Sequence, residues 1–354
     1  MGHVGLLATF VASCALTWVA GIWLTRTTDA IDARYGLGSA FGGLLILGIT
    51  TSLPEIAVVV SAAVQHHYDM IIGTLIGGVA IQTAVIAILD VSMRARRASL
   101  TFAAASLALV LEAALVVLVV TAAVLAIRTP LVVPHTRVSL VSILIVGLWL
   151  AGLALIHRAR NGDGLPWKAE AVSALPGRTH KERRAMMAKL PRIQKSPMAR
   201  MWTLFIVSSL LTLVAGVGVQ MSGNALAAAF HINGGLFAAT FIAFAGALPN
   251  ISTGVASIRL GDYRLAMSDI FGGNAFMPAL FVICDLITGN AVLRNATGSD
   301  VWFASLGVLL TTIYLVGLIV RSRRTLLGMG LDSIAVVVLY VLGIAALVAS
   351  GGMG

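Results

Sequence analysis

The chain has 354 residues, 59% hydrophobic and 11% charged, with a mean hydropathy of +0.98. A soluble domain carries about 25% charged residues, so the composition excludes an ordinary water-soluble fold and predicts an all-α membrane protein. A formal charge of +10 would suggest nucleic acid as a partner of a soluble chain; here the placement of the basic residues accounts for it, and no nucleic-acid partner is expected.

Apolar stretches of roughly 20 residues read as membrane-spanning helices. Ten follow one another, at 4–25, 38–64, 70–91, 99–127, 138–157, 201–222, 234–257, 264–288, 301–320 and 329–350. The first lacks a basic leader and is followed by Arg26, so it reads as a retained helix and not as a cleaved signal. The second holds Pro54 and Glu55, and His66-His67 follow it as solvated loop residues. The third carries Gly77-Gly78 near its middle and Gln82 one turn later. The fourth buries Glu112, either a proton carrier or a protonated side chain bonded to a neighbouring helix. A basic stretch from 158 to 200, broken by Pro166, Pro176 and Pro191, then separates residues 1–157 from 201–354. Anionic lipid is a possible partner of that loop; the plainer reading is a topology determinant. The seventh span holds Pro249 and Asn250. The eighth carries Asp269, which either lines an ion path or caps the helix start, and then Gly272-Gly273. Asp90 and Asp285 fall near helix ends and read as interfacial anchors. Cys14 and Cys284 lie within spans and form neither a disulfide framework nor a metal site.

Assigning the loops alternately to two sides places 21 of the 24 Lys and Arg on one side, leaving Arg128, Arg137 and Arg294 on the other. Basic residues accumulate on the cytoplasmic side. Both termini are therefore expected outside and the 158–200 loop in the cytoplasm, in the plasma membrane of a prokaryote.

The chain also repeats itself. Shifted by 195 residues, SLPEIAVVVSA falls on ALPNISTGVAS and IGGVA on FGGNA, with 11 identities over residues 39–90 that include Pro54, Tyr68, Gly77, Gly78 and Asp90. Five spans separate equivalents, an odd number, so equivalent helices cross in opposite directions. The expected fold is two inverted five-helix repeats, a construction that many secondary transporters use for alternating access around a midplane site.

Pro54 lacks an N–H, so the carbonyl of Thr50 loses its helical partner. Broken backbone at membrane depth must line protein or a water-filled cavity. Thr51 and Glu55 are four residues apart and share a helix face, with Ser52 adjacent. These oxygens suit a hard cation such as Na+ or Ca2+. Pro249 and Asn250 repeat the fault in the second half. The glycine pairs permit close backbone approach, and the broken helices are their expected neighbours.

GLLILGITTSLPEI followed by DMIIGTLIGGVAIQ resembles the first alpha-repeat of the cation/calcium exchanger superfamily, and AFAGALPNIST followed by SDIFGGNAFMP resembles the second. The likeness covers nearly the whole chain. It implies a sodium/calcium exchanger-like fold and an antiporter whose ions lie between helices 2, 3, 7 and 8. Carried over position by position, it implies Thr51, Ser52 and Glu55 as ligands, with Thr50 through its carbonyl. Gln82 stands where the first repeat places its last polar ligand, and Asn250 and Asn274 are what remain in the second repeat. Both hydroxyls of the second TSLPE are lost, its acid is Asn250, and the last polar position is Met277. Calcium-carrying members place one carboxylate in each repeat. With Glu55 alone, a monovalent ion fits the charge better, or a proton, since burial disfavours a charged carboxylate.

The expected function is thus a secondary active cation antiporter exchanging Na+ or H+ for another cation, Ca2+ by resemblance, without a cofactor. The alternative is a transport-inactive relative acting as scaffold or sensor. A channel is disfavoured by the inverted repeat. No HExxH, GxSxG or paired catalytic acids are present, so an enzyme is not expected.

Overall fold

A computed structural model describes residues 2–35, 49, 52–94, 98–128, 138–161 and 197–350. The described part is almost wholly helical. In chain order it contains α1 (His3–Tyr35), α2 (Leu53–Val64), α3 (Tyr68–Val91), α4 (Leu107–Arg128), α5 (Leu140–Asn161), α6 (Met198–Ala229), α7 (Gly234–Arg259), α8 (Tyr263–Thr288), α9 (Gly298–Val320) and α10 (Leu331–Ala349). A one-turn helix, Leu100–Ala104, precedes α4, and a two-stranded hairpin, Thr325–Leu326 with Met329–Gly330, joins α9 to α10.

Nine of these helices are long and apolar enough to cross a membrane, among the described residues. The element that belongs to the second expected span is α2, whose described part is 12 residues long. The segment before it, 36–48 and 50–51, lies outside the described residues, so α2 is not counted as a tenth crossing helix.

The helices of the two halves interleave. The first helix, α1, packs against α6 and α7, and α2 against α6. Both α3 and α4 pack against α9, and α4 also meets α8. The most deeply buried spans are α3, α8 and α7, whereas α1, α5, α6 and α10 are largely exposed along their apolar faces. A helix surrounded by helices must be apolar on all sides, and one facing lipid shows no polar face either. This is why hydropathy finds the spans but does not rank them by depth.

The repeat is visible in backbone conformation. The helices α2 and α7 are each followed by a left-handed residue at equivalent positions, His66 at φ +58° and Gly261 at φ +82°. Glycine adopts this cap without steric cost, whereas a residue with a Cβ pays roughly 1–2 kcal/mol.

Asp90 and Asp285, equivalent by the same offset, are fully buried and not interfacial anchors. The Asp90 carboxylate accepts the N–H of Leu100 at 2.6 Å and of Gly330 at 2.7 Å, at the starts of the short helix before α4 and of α10. Asp285 accepts the N–H of Val292 at 2.8 Å and of Ser139 at 3.1 Å, and the Ser142 hydroxyl at 2.8 Å. The first N–H groups of a helix have no partner within it. In a membrane they need one supplied, and each buried aspartate serves two segment starts.

Candidate cation site

The start of α2 shows why the proline is tolerated. Ser52 is the residue before the helix, Pro54 lies in the first turn, and the first helical bond runs from the Ile56 N–H to the Ser52 carbonyl at 3.0 Å. Proline in a first turn forfeits no bond the helix could have made. Pro54 thus opens α2. Pro249 is different: it stands in the interior of α7, with helix on both sides of it. The two faults are equivalent in sequence but not in local structure. Thr50 and Thr51 lie outside the described residues, so only Ser52 and Glu55 of the first motif can be placed.

Glu55 is 3% exposed, and its Oε2 has no hydrogen-bond partner among the described residues. A carboxylate oxygen buried without a donor costs several kcal/mol if charged, so this position calls for a bound cation or a proton. Across from it stands Gly246 of α7. A methyl group there would lie 3.0 Å from Glu55 Oε1 and 3.2 Å from its Cδ and Cγ. Gly246 is the repeat equivalent of Thr51. The side chain missing from the second motif therefore leaves the space beside which the surviving carboxylate sits.

Ser52 is buried, and its hydroxyl faces Gly273 of α8, 3.8 Å from where a Cβ would stand. Asp269, one turn before Gly273, is within electrostatic reach of Glu55. It accepts the Thr253 hydroxyl at 3.3 Å, which also reaches the Asn250 carbonyl at 3.3 Å. Asn250 itself is half-buried on α7. The structure thus brings together Ser52, Glu55, Gly246, Gly273 and Asp269.

Asn274 is fully buried. Its Nδ2 donates to Thr83 at 3.1 Å, Thr83 pairs with Thr311 at 3.2 Å, and its Oδ1 has no partner among the described residues. Gln82 is buried on α3, next to Thr83. Glu112 is buried on α4, whose main neighbours are α5, α8 and α9 and include neither α2 nor α7.

Gly77 and Gly78 lie against α7. Methyl groups there would meet the Cβ of Ala239 at 2.7 Å and of Ala243 at 3.0 Å, both on α7. At Gly272 a methyl group meets nothing within 4 Å among the described residues. The repeat equivalents of Ala239 and Ala243 are Leu44 and Gly48, which lie outside them.

Four features of the site carried no signal in the motifs. Gly73–Gly77 and Ala238–Ile242 are single π-helical turns, packed against each other; such turns are frequent at functional sites. The Thr83–Thr311 pair is absent from the repeat, because the equivalent of Thr83 is Pro278. The Trp18 Nε1 donates to the Ser252 hydroxyl at 2.6 Å, tying α1 to α7. Finally, a methyl at Gly21 of α1 would lie 2.5 Å from Pro249 Cγ, and one at Gly216 of α6 would lie 2.7 Å from the Pro54 carbonyl. Gly21 and Gly216 are themselves 195 residues apart, so extending the repeat to α1 and α6 would have found them.

Residues 5–157 and 200–349 match the sodium/calcium exchanger protein family. The inner membrane protein YrbG of Escherichia coli (strain K12) is 26% identical over 277 residues, covering 77% of this chain and 74% of that protein. The fold is similar to the crystal structure of the H+/Ca2+ exchanger CAX, with a TM-score of 0.62, 12% identity, and coverage of 97% of this chain and 88% of that one. It is also similar to the sodium-calcium exchanger NCX_Mj, with a TM-score of 0.58, 17% identity, and coverage of 97% and 99%. At these identities the two structures speak to the fold, and the family match speaks to descent. An integral membrane protein built on this fold and matched over both halves belongs to the sodium/calcium exchanger protein family.

Proposed function

We propose that the chain is a secondary active antiporter that exchanges Na+ or H+ for another cation by alternating access. The observation that carries this reading is the Glu55 carboxylate, buried between the start of α2 and Gly246 of α7 with one oxygen unpartnered among the described residues. Ser52, Gln82, Asn250 and Asn274 are the further proposed ligands, with Thr50 and Thr51 from the segment before α2. Asp269 lies on the ion path, and Glu112 is assigned no part in the central site. The two repeats, 1–157 and 201–354, are proposed to move against each other. Both termini face outward, and the 158–200 loop faces the cytoplasm of a prokaryotic cell. That loop is a candidate surface for anionic lipid.

The named structural relatives exchange Ca2+ for H+ or for Na+. For this chain the charge argues for a monovalent substrate. Ca2+ takes six to eight oxygen ligands with compensating charge, and Asn250 replaces the second carboxylate. Asp269, within reach of Glu55, is a nearby acid that would restore a second charge. Reconstituted protein under an imposed Na+ or pH gradient, with and without Ca2+, decides between these substrates. The expected result is Na+/H+ exchange without calcium flux, lost in Glu55→Gln. Calcium uptake driven by Na+ and lost in Glu55→Gln would overturn the charge argument and leave the antiporter reading standing.

The loss of both hydroxyls and the acid from the second motif favours one other reading, a transport-inactive relative serving as scaffold or sensor. No flux under any gradient, from protein that is folded by thermal unfolding, would support it.

A further inference from the structure

Two buried hydroxyls outside the site share its symmetry. Thr17 on α1 is 1% exposed and Thr212 on α6 is 0% exposed, and among the described residues neither Oγ1 has a hydrogen-bond partner. A threonine within a helix normally bonds to the carbonyl four residues back, as Thr25, Thr28, Thr203, Thr240 and Thr312 do here. These two do not, and they are 195 residues apart, so each is the repeat equivalent of the other.

Thr74 Oγ1 is unpartnered as well among the described residues, but Thr17 and Thr212 are set apart by their position. Each lies four residues before a glycine that touches one of the two helix faults: Thr17 before Gly21 against Pro249, and Thr212 before Gly216 against Pro54. Residues four apart share a helix face, so both threonines stand on the faces turned to α7 and α2. On α6 the register is fixed twice, by Gly216 against Ala57 and by Gln220, whose Oε1 accepts the Ser61 hydroxyl at 2.9 Å. One turn back, that register sets Thr212 level with the start of α2, where Ser52 and Glu55 stand. Ser13 on α1 lies against Gly218 on α6, which places both threonines at mid-length of this helix pair.

We propose that Thr17 and Thr212 are a second, symmetric set of cation ligands, lending hydroxyl oxygens from α1 and α6 to a dehydrated metal ion as it reaches or leaves Glu55. The inference rests on the antiporter reading and narrows its substrate. A proton carried on Glu55 needs no further oxygen, whereas a metal ion stripped of water needs several. A buried hydroxyl without a partner is destabilising, and two placed by symmetry at the mouths of both faults gain their partner when the ion is present. The cation is of the hard, oxygen-seeking class, and Na+ is the probe for it.

The test uses the purified full chain and measures Na+ binding directly, alongside flux in liposomes. Thr17→Val and Thr212→Val keep the shape and remove the oxygen; Thr17→Ser and Thr212→Ser restore it. Each Val variant is expected to weaken Na+ binding about tenfold, the loss of one hydrogen-bond-strength contact to a charge, and each Ser variant to recover it. Thermal stability of the Val variants should equal or exceed wild type, a result that a structural hydroxyl would not give. Wild-type Na+ affinity in both Val variants, or equal loss in the Ser variants, overturns the inference. Proton-coupled flux with no metal-ion binding also overturns it while leaving the antiporter reading intact. Metal binding that follows the Val and Ser pattern without any flux supports it and sinks the antiporter reading instead.

Discussion

Glu55 and Gly246 are a pair that only makes sense together. The second motif lost Thr51's equivalent, and the first kept an acid whose carboxylate sits 3.0 Å from where a Cβ on Gly246 would stand. Gly246→Ala is therefore expected to crowd the carboxylate without removing it. Overpacking of this kind costs typically 1–3 kcal/mol, so apparent cation affinity should fall roughly tenfold while the chain still inserts and folds; equilibrium binding checks this. Thr83 makes a different prediction. Thr83→Val leaves the Nδ2 of fully buried Asn274 without its 3.1 Å acceptor, a loss of about 1–3 kcal/mol that thermal unfolding in detergent should register. Thr83→Ser should behave like wild type. Glu55 was legible from sequence because a carboxylate beside a proline in an apolar run is rare enough to stand out. Thr83 was not, since a threonine in a helix has many harmless uses.

At the scale of elements, the two buried aspartates decide where helices begin. Each accepts backbone N–H groups from two segments far apart in the chain, Leu100 and Gly330 for Asp90, Val292 and Ser139 for Asp285. Removing the acceptor strands two donors in a medium that offers none. Asp90→Ala should destabilise by roughly 3 kcal/mol or more, because two charge-assisted bonds are lost at once. Asp90→Asn, which keeps one acceptor oxygen, should cost less, and Asp285 should follow the same order when the yield of folded protein and its thermal midpoint are compared. The repeat signalled that both aspartates matter. It placed them at helix ends, where an interfacial anchor is the simplest reading, because sequence does not tell an end facing water from one folded beneath other helices. The π-helical turns at Gly73–Gly77 and Ala238–Ile242 were hidden for a related reason. They accommodate a tight contact between α3 and α7 that is a property of the pair.

The whole molecule is held together across its halves. The first helix, α1, lies on α6 and α7, α2 lies on α6, and α3 and α4 lie on α9. Gly21 and Gly216 seat the helix of one half on the proline of the other. Without a hydrophobic force between helices in lipid, close van der Waals contact of this kind is what holds a bundle together. Residues 1–157 or 201–354 expressed alone should therefore give little folded protein, while the two expressed together should recover a complex that co-purifies and carries the flux of the intact chain. A stable, monodisperse half would show that each repeat is a folding unit in its own right.

Composition and hydropathy determined that this chain lives in a membrane, because lipid accepts only apolar side chains and internally bonded backbone, a demand that acts on each residue separately. The 195-residue offset determined that it is built twice and inverted, because the repeat and the parity of the intervening spans are both written along the chain. The proline faults and the single carboxylate were legible for the same reason. The tertiary structure decided the rest: that Pro54 opens a helix while Pro249 lies inside one, that Gly246 leaves room for Glu55, that Asp90 and Asp285 are buried caps, and that α1 and α6 bring glycines to the faults. Each of these depends on which residues meet across helices, and a bundle that is apolar on nearly every face leaves no periodicity from which those meetings could be read.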